Sequence, residues 1–458
     1  MRFYRESQRL KDTHKTLRLL KLEFGPNKKQ ELVRLVYEVS KINNIVPQHL
    51  LKEALGNNNF HNAKEAFIDL KDFLVKKRYP LAYKSKRKLN FYLPKLNLNR
   101  NFSVLKKKAN LFYPREIFIE KDAKNYFITK SIIDKFRRAK IVYINDSKAY
   151  IKAKQSKTSI KDYNERTKKL FLIKEKHDFL KPCPCSKGVR GCGYYILNLG
   201  FSCSYECSYC FLQNYTNVDG IILPVNIEDF IAKLYSFLNY PRQLRIGTGE
   251  FTDSLVSDDL TRYSEVLINY FSKSRNTILE LKTKSNNINN LLNLKHNRKT
   301  AISWSLNPQS LIDSDEWHTS SLRERLDAAK ACCDVGYRVG FHFDPIIYSL
   351  NWQDLYREVI DLLFKKINQK NIDWISLGTI RFTPKLKTII EQRFPNSKIL
   401  DEELVVGFDR KLRYVQQLRI QIYKNMFSWI KKHSGSVLVY LCMEPKEIWK
   451  EVLGRTKF

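Results

Sequence analysis

The stretch that decides the fold runs from residue 194 to residue 213 and reads YYILNLGFSCSYECSYCFLQ. It opens with an apolar run, YYILNLG at 194–200, whose aromatic and β-branched content predicts a buried strand. Three cysteines follow at once in the spacing C-x3-C-x2-C, namely Cys203, Cys207 and Cys210. The pattern therefore predicts three thiols in one loop at the carboxyl end of a strand.

Similar apolar runs recur on both sides of this loop, and helical segments rich in Leu, Ile, Lys and Glu separate most of them. This alternation predicts an α/β fold with a parallel sheet and helices outside it, in the form of a partial or complete (β/α) TIM-type barrel. Functional residues should then lie at the carboxyl ends of the strands. The further candidate strands are EIFIE at 116–120, YFITK at 126–130, KIVYI at 140–144, QLRIGTG at 243–249, ILELKT at 278–283, TAISWSL at 300–306, YRVGFHFDP at 337–345, DWISLGTI at 373–380 and VLVYLCME at 437–444.

The chain of 458 residues is long for a single hydrophobic core, and its composition and hydrophobic patterns divide it into four parts. Residues 1–78 read as an N-terminal helical module, 79–112 as a basic linker that contains aromatic residues, 113–190 as an α/β lead-in, and 191–458 as the barrel with a C-terminal segment. The helical prediction rests on apolar residues that recur on one helix face, at Leu32, Leu35, Val36, Val39, Ala63, Ala66, Phe67, Leu70 and Leu74.

The charge balance points to a polyanionic partner. Lys and Arg number 82 against 47 Asp and Glu, a formal net charge of +35, and such a field attracts nucleic acid. Residues 76–108 hold twelve Lys or Arg, no acid and five aromatic rings, so this segment is a candidate for binding phosphates and stacking on bases. Two alternatives stay open: a solvated linker for this segment, and a composition bias that scatters lysines over every surface.

Other sequence features favour a cytoplasmic protein with metal or redox chemistry. No apolar run approaches the eighteen or so residues that span a bilayer, and the first residues have no secretory apolar core. Of nine cysteines, six lie between residues 183 and 210. Such clustering does not resemble the disulfide framework of a small secreted domain.

Three thiolates in one loop suit an iron–sulfur cluster. A 4Fe–4S cubane held by only three cysteines leaves one iron free for an external ligand, and S-adenosylmethionine is the natural occupant of that position. Reductive cleavage would then yield a 5′-deoxyadenosyl radical, with a substrate C–H bond as its target. The alternative is a structural zinc ion, for which Cys183, Cys185 or Cys192 would be the fourth ligand.

Five further segments, in this order and spacing, resemble the spore photoproduct lyase family of the radical S-adenosylmethionine superfamily. They are CFLQ at 210–213, TDS at 252–254, TKS at 283–285, WSLN at 304–307 and GYRVGFHFDPI at 336–346. The resemblance extends from about Tyr113 to the C-terminus. The segment GFDRKLRYVQQLRIQIYKNMFSWI at 407–430, with the strand after it, resembles a branch of lyase-like proteins outside the spore enzyme itself.

The resemblance implies roles for particular residues. It implies that Tyr209 lies beside the adenine of S-adenosylmethionine and that the Gly247–Glu250 segment, with Gly249 and Glu250, receives its methionine amino group. It also implies that Lys284 and Ser305 contact S-adenosylmethionine and that Glu250 and Asp253 line the same pocket. The same resemblance implies a partial barrel, damaged DNA as substrate, reversal of a thymine–thymine adduct, and an electron donor of the flavodoxin or ferredoxin type.

Two positions depart from the spore enzyme. Its hydrogen-donating cysteine corresponds to Phe251, and its relay tyrosine to Phe211, and neither phenyl ring can transfer a hydrogen atom. Other candidate thiols are Cys442, Cys192, Cys332 and Cys333, although the last two fit buried helix positions better. His342 and Asp344 fall near a strand end and are candidates for substrate or cofactor contact.

Three hypotheses result. The first is a radical S-adenosylmethionine enzyme that acts on damaged or modified DNA. The second is a radical enzyme that modifies RNA bases or another polyanion, because phosphate contacts carry no sequence information. The third is a non-catalytic nucleic-acid-binding protein whose cysteines hold a structural metal. The oligomeric state and the role of residues 1–112 are not predicted.

Overall fold

The computed structural model describes residues 2–19, 23–56, 62–85, 90–96, 112–154, 159–177, 179–215 and 218–454. Much of the predicted basic segment, at 86–89 and 97–108, lies outside the described residues. The chain forms two compact units, one made of residues 1–105 and 381–419 and the other of residues 106–380 and 420–458. The sequence-based boundaries at 78, 112 and 190 stay predictions. No sequence feature predicted that residues 381–419 belong to the same unit as the N-terminal helices.

The helices are α1 (Arg2–Leu19), α2 (Pro26–Asn43), α3 (Pro47–Leu55), α4 (Ala63–Arg78), α5 (Pro80–Lys84), α6 (Phe127–Lys135), α7 (Ser147–Lys154), α8 (Ile160–Asn164), α9 (Ile227–Lys233), α10 (Tyr235–Leu238), α11 (Asp258–Thr261), α12 (Tyr263–Phe271), α13 (Gln309–Asp315), α14 (Leu322–Asp334), α15 (Trp352–Lys366), α16 (Pro384–Arg393), α17 (Gln416–His433) and α18 (Lys446–Leu453). None of these helices is long and apolar enough to span a bilayer, a statement that covers the described residues only.

The strands are β1 (Glu116–Glu120), β2 (Lys140–Ile144), β3 (Lys169–Ile173), β4 (Leu180–Pro182), β5 (Tyr194–Leu197), β6 (Glu206–Cys207), β7 (Ile221–Pro224), β8 (Leu244–Gly247), β9 (Thr277–Thr283), β10 (Thr300–Ser305), β11 (Glu316–Trp317), β12 (Arg338–Ile346), β13 (Ile372–Thr379), β14 (Arg381–Phe382), β15 (Leu404–Val406), β16 (Leu412–Tyr414) and β17 (Leu438–Leu441).

The larger unit is built on an eight-stranded sheet in the order β17-β13-β12-β10-β9-β8-β5-β4. Every neighbouring pair is parallel except β4 with β5. The central parallel strands are largely buried, and all six residues of β10 are buried although three of them are Thr or Ser. The predicted α/β barrel fold is confirmed in its partial form, with the sheet open between β17 and β4.

A second parallel sheet, in the order β2-β1-β3-β7, combines three strands of the predicted lead-in with β7, which lies between the barrel strands β5 and β8 in the chain. The Phe118 and Phe171 rings stack in its core with centroids 4.7 Å apart. The predicted strand YFITK is wrong, because residues 127–135 form helix α6 instead. Ile128, Thr129 and Ile132 are its buried residues, and this helical spacing outweighs the strand propensity of single residues.

The smaller unit has a core of helices with a buried charge cluster. The predicted apolar face of α2 is confirmed, since Leu32, Leu35, Val36 and Val39 are fully buried. The buried Glu38 carboxylate accepts from Arg34 at 3.3 Å, Arg78 at 2.9 Å and Lys387 at 2.8 Å. These three cations hold the pKa of Glu38 well below its usual range even though burial alone would raise it.

Candidate active site

The three-cysteine loop leaves the sheet at the end of β5 and is anchored by backbone. The Phe201 N–H donates to the Ile222 carbonyl at 2.9 Å, and the Ser202 N–H donates to the Phe251 carbonyl at 2.9 Å. Ser202 has a φ of 77°, a left-handed conformation that turns the chain away from the strand direction. The loop therefore begins with Cys203 at a fixed place beside the segment that follows β8.

A buried arginine holds the first half of the loop. The Arg166 guanidinium donates to the Cys203 carbonyl at 2.9 Å and to the Tyr205 carbonyl at 2.8 Å, and it forms an ion pair with Glu206. Such a planar fork satisfies several acceptors at once and fixes their geometry. Sequence reasoning missed Arg166, because no motif marks it in the polar segment before β3.

The second half of the loop is fixed by a neighbouring strand and an amide. Strand β6 pairs antiparallel with β11, so that Cys207 lies opposite Glu316. The Gln213 side chain donates to the Ser208 carbonyl at 2.7 Å and to the Cys210 carbonyl at 3.1 Å. Arg166 and Gln213 together donate hydrogen bonds to backbone carbonyls in both halves of the loop and so give these polar groups partners within the protein.

The three thiols differ in exposure, but the pKa of each is raised above its ordinary value. Cys207 is buried, and Cys203 and Cys210 are partly exposed. Burial raises the pKa of Cys203 to about 12 and also raises the pKa values of Cys207 and Cys210. Each is therefore a thiol at neutral pH in the metal-free chain, and a metal centre would displace its proton.

Three cysteine thiols on one loop are the donor set that iron–sulfur clusters use. Within the part of the chain that the structure describes, no group of three His, Cys, Asp or Glu side chains is close enough to hold one ion. A cubane is larger than an ion and takes its thiolates from points further apart on one loop. The structural-zinc alternative, which needs four converging ligands around one ion, has no support in the described residues.

Tyr209 belongs to a buried polar network that the sequence did not reveal. Its hydroxyl donates to Glu316, which also accepts from Arg325 at 2.6 Å and from the Asn307 amide at 2.8 Å. Arg325 and Lys284 lower the pKa of Glu316 to about 2, although burial alone would raise it. The Lys284 ammonium lies 5.8 Å from the centroid of the Tyr209 ring, so two of the predicted cofactor residues are neighbours.

Asp253 and Gly249 shape the neighbouring strand end. The Asp253 carboxylate accepts from the Thr283 hydroxyl at 2.6 Å and from the Lys284 N–H at 2.7 Å, which joins the loop after β8 to the end of β9. A Cβ added at Gly249 would lie 2.9 Å from the Lys282 carbonyl, so only glycine fits. Asp253 thus positions backbone in this structure.

The remaining predicted contact residues also lie near the carboxyl ends of strands. Ser305 ends β10, is buried, and its carbonyl accepts from Arg325 at 2.8 Å. Glu250 follows β8 and is partly exposed. Its charge contributes to raising the pKa of Cys183, so the two side chains are within electrostatic range.

The two departures from the spore enzyme lie together. The rings of Phe251 and Phe211 meet edge to face with centroids 6.3 Å apart, and Phe201 stacks on Phe251 at 6.1 Å. The Lys181 ammonium lies 4.6 Å from the centroid of the Phe251 ring. Three phenylalanine rings and the Lys181 ammonium therefore lie together beside the cysteine loop. By the resemblance, the spore enzyme has its hydrogen-donating cysteine and its relay tyrosine at two of these positions, Phe251 and Phe211.

The other singled-out residues have identifiable partners. Cys332 and Cys333 lie in α14, where Cys332 is fully buried. The Cys192 sulfur accepts from Arg245 at 3.3 Å, inside the barrel. His342 is buried within β12 and pairs with Glu280 at 2.8 Å, so it belongs to the barrel interior. Cys183 and Cys185 are 3.7 Å apart, sulfur to sulfur.

The fold and the loop together define a class of protein, an α/β partial barrel with three thiols after its first parallel strand. A family model described as spore photoproduct lyase matches residues 112–428, and the chain belongs to the spore photoproduct lyase family. The spore photoproduct lyase of Bacillus subtilis is 28% identical over 302 residues, 64% of this chain and 86% of that protein. The spore photoproduct lyase of Clostridium acetobutylicum is 26% identical over 302 residues, which again cover 64% of this chain and 86% of that protein.

Solved structures agree on the fold. A spore photoproduct lyase variant superposes with a TM-score of 0.62 at 24% identity and covers 72% of this chain and 99% of its own. A spore photoproduct lyase complexed with dinucleoside spore photoproduct gives the same TM-score at 23% identity and the same coverage. The partial barrel of this chain is thus the fold of that family.

Proposed function

We propose that this protein is a radical S-adenosylmethionine enzyme that acts on damaged or modified DNA. The observation that carries the proposal is the backbone-anchored, partly buried loop that presents Cys203, Cys207 and Cys210 at the carboxyl end of β5, in a chain of the spore photoproduct lyase family. In this proposal the three thiols hold a 4Fe–4S cluster. When bound, the cluster and S-adenosylmethionine supply a 5′-deoxyadenosyl radical.

The chain's own residues have the tasks of binding and orientation. Tyr209 offers a ring face beside the loop, and its hydroxyl is fixed by Glu316. Lys284 places a partly buried cation next to that ring, and Glu250 offers a carboxylate for an ammonium group. In this proposal Gly249 and Ser305 line the same cofactor pocket. Asp253 joins the loop after β8 to the end of β9 and so positions the backbone of the pocket.

DNA as the polymer is supported by charge and by a relative. A spore photoproduct lyase has been solved in complex with a dinucleoside spore photoproduct, and we extend that substrate class to this chain. In the smaller unit, Lys11, His14, Lys15 and Arg18 line an open groove of about 470 Å³ on α1. Among the described residues, no acidic side chain lines this groove, and such a surface attracts phosphates.

Phe251 and Phe211 stand where the spore enzyme has its hydrogen-donating cysteine and its relay tyrosine. The proposal therefore assigns no hydrogen donor to the substrate radical. Neither ring carries a hydrogen that it can transfer, so the lesion and the closing step are not carried over from the spore enzyme. We also propose that a flavodoxin- or ferredoxin-type protein supplies the electron and that the protein acts in the cytoplasm.

The test is turnover on defined oligonucleotides. The reconstituted full chain is reduced anaerobically with S-adenosylmethionine and a duplex, a single-stranded DNA or an RNA of equal length, each with and without a thymine or uracil dimer lesion. The proposal expects lesion-dependent product from DNA above that from RNA. Product only from RNA would overturn the DNA assignment in favour of RNA modification, and no deoxyadenosine with any substrate would overturn the radical assignment.

A further inference from the structure

Two thiols outside the cluster loop are held side by side by a tight turn. Cys183 and Cys185 flank Pro184 directly after β4, and their sulfur atoms are 3.7 Å apart. The Cys185 N–H donates to the Cys183 carbonyl at 2.8 Å and closes a three-residue turn around the proline. The proline ring suits this turn because it fixes φ near the required value. In an extended strand, residues two apart would share a face but stand further from each other.

The pair is also accessible to a reagent of small size. Both cysteines are partly exposed, and Pro182, Pro184 and Lys187 around them are exposed. The Cys183 N–H donates to the Tyr194 carbonyl at 2.9 Å, which ties one end of the turn to the sheet. One sulfur is thus on an anchored residue and the other on a surface turn that can adjust.

A shared metal ion does not explain this arrangement. The described residues contain no group of three metal-ligating side chains around one point. Cys192, the next thiol along the chain, is engaged by Arg245. Cys442 acts on Cys183 electrostatically, but it adds no third ligand to a single-ion site.

We infer that Cys183 and Cys185 form a redox-active dithiol that closes to a disulfide by exchange with a small-molecule disulfide. Both S–H bonds are lost and one S–S bond forms, while the S–S bond of the oxidant breaks and takes up two electrons and two protons as two thiols. The sulfurs must move from 3.7 Å to about 2.05 Å. Rotation of one side chain on the surface turn provides that movement.

The short separation lets each sulfur resolve a mixed disulfide formed on the other. Exchange begins when the thiolate of one cysteine attacks the small-molecule disulfide and releases one thiol. The second sulfur, 3.7 Å away, then attacks the mixed disulfide and releases the other thiol.

The experiment is a thiol-trapping titration of the full-length chain. The chain is equilibrated anaerobically in buffers of reduced and oxidised glutathione, trapped with an alkylating reagent, digested with trypsin and mapped by mass spectrometry. Fragment 177–187 carries both cysteines, so closure lowers its mass by two hydrogens and protects it from alkylation. Fragment 331–338, with Cys332 and Cys333, is an internal control that stays alkylatable as two thiols after unfolding.

The expected result is a two-electron transition in fragment 177–187 that is lost in Cys183→Ser and Cys185→Ser and kept in Cys333→Ser. In each of the two single variants, a mixed disulfide with glutathione should accumulate on the cysteine that remains. The inference is overturned if the wild-type fragment stays fully alkylated at every ratio, if a mixed disulfide persists in the wild type, or if the bridge maps to Cys183 and Cys442. All these readouts are independent of iron binding and of catalysis.

Discussion

The Tyr209 hydroxyl donates to the Glu316 carboxylate across 107 residues of sequence, and this bond joins the cysteine loop to the strand that pairs with it. Glu316 is fully buried, and its other oxygen accepts from Arg325, also fully buried, at 2.6 Å. The cysteine loop is thereby tied to α14, which carries Arg325.

Glu316→Gln should destabilise the larger unit strongly. The substitution leaves the Arg325 guanidinium buried without a counter-charge, and removal of one partner from a buried pair costs about 3–5 kcal/mol. The measurement is the free energy of unfolding from denaturant titration. The control is Asp334→Asn in α14, where the exposed pair with Lys330 contributes less than about 1 kcal/mol. Equal effects of the two substitutions would contradict the network.

Arg166→Lys should reduce cluster assembly. A lysine keeps the charge near Glu206 but cannot donate to the Cys203 and Tyr205 carbonyls together, so the loop loses its shape. We expect a lower ratio of iron to chain after anaerobic reconstitution, with the fold retained by circular dichroism. Arg262→Lys, at an exposed arginine that pairs with Glu265, is the matched control and should bind iron as the wild type does. Unchanged iron content in Arg166→Lys would refute this role.

His342 should make the protein less stable as the pH falls from 7 to 5. Burial lowers the pKa of His342 to about 4 from an ordinary value of 6.5, so below pH 6.5 the unfolded chain binds a proton that the folded chain excludes. The free energy of unfolding should drop by about 2 kcal/mol by pH 5. Arg245 lowers the pKa of Glu280 to about 2 against the effect of burial, so its contribution is lost only below about pH 4.5.

Denaturant titrations at pH 7 and pH 5 check this prediction. His342→Gln should lose most of the difference between the two pH values, whereas replacement of the exposed His177 should keep it. A difference of the same size in His342→Gln and in the wild type would mean that other groups cause the acid sensitivity.

The basic groove on α1 should contribute to nucleic-acid affinity in proportion to its charge. Replacing Lys11, Lys15 and Arg18 together by alanine should weaken DNA binding and reduce the slope of log K against log salt by about 2 to 3. Fluorescence anisotropy over a salt series measures both quantities. The control removes three exposed lysines elsewhere in the same unit, at 52, 64 and 398. An equal loss in both triple variants would mean that only the total charge matters.

The sequence predicted those parts of the fold and of the site that are local in the chain. The strand YYIL, the cysteine loop after it and the buried helix face of α2 follow from short-range periodicity and spacing. Arg166, Glu316 and Arg325 were missed because their partners lie far away in sequence and no motif marks them. The strand prediction for YFITK was wrong because it used the strand propensity of single residues. Burial of Ile128, Thr129 and Ile132 on one helix face outweighs that propensity.

The most direct test of the central claim is the formation of 5′-deoxyadenosine by the anaerobically reconstituted, reduced chain in the presence of S-adenosylmethionine. Wild type is compared with Cys203→Ala and with Cys333→Ala, which removes a thiol outside the loop. We expect an iron–sulfur absorbance and deoxyadenosine from wild type and Cys333→Ala, and neither from Cys203→Ala. Equal deoxyadenosine from Cys203→Ala, or a wild-type chain that assembles no cluster, would contradict the central claim.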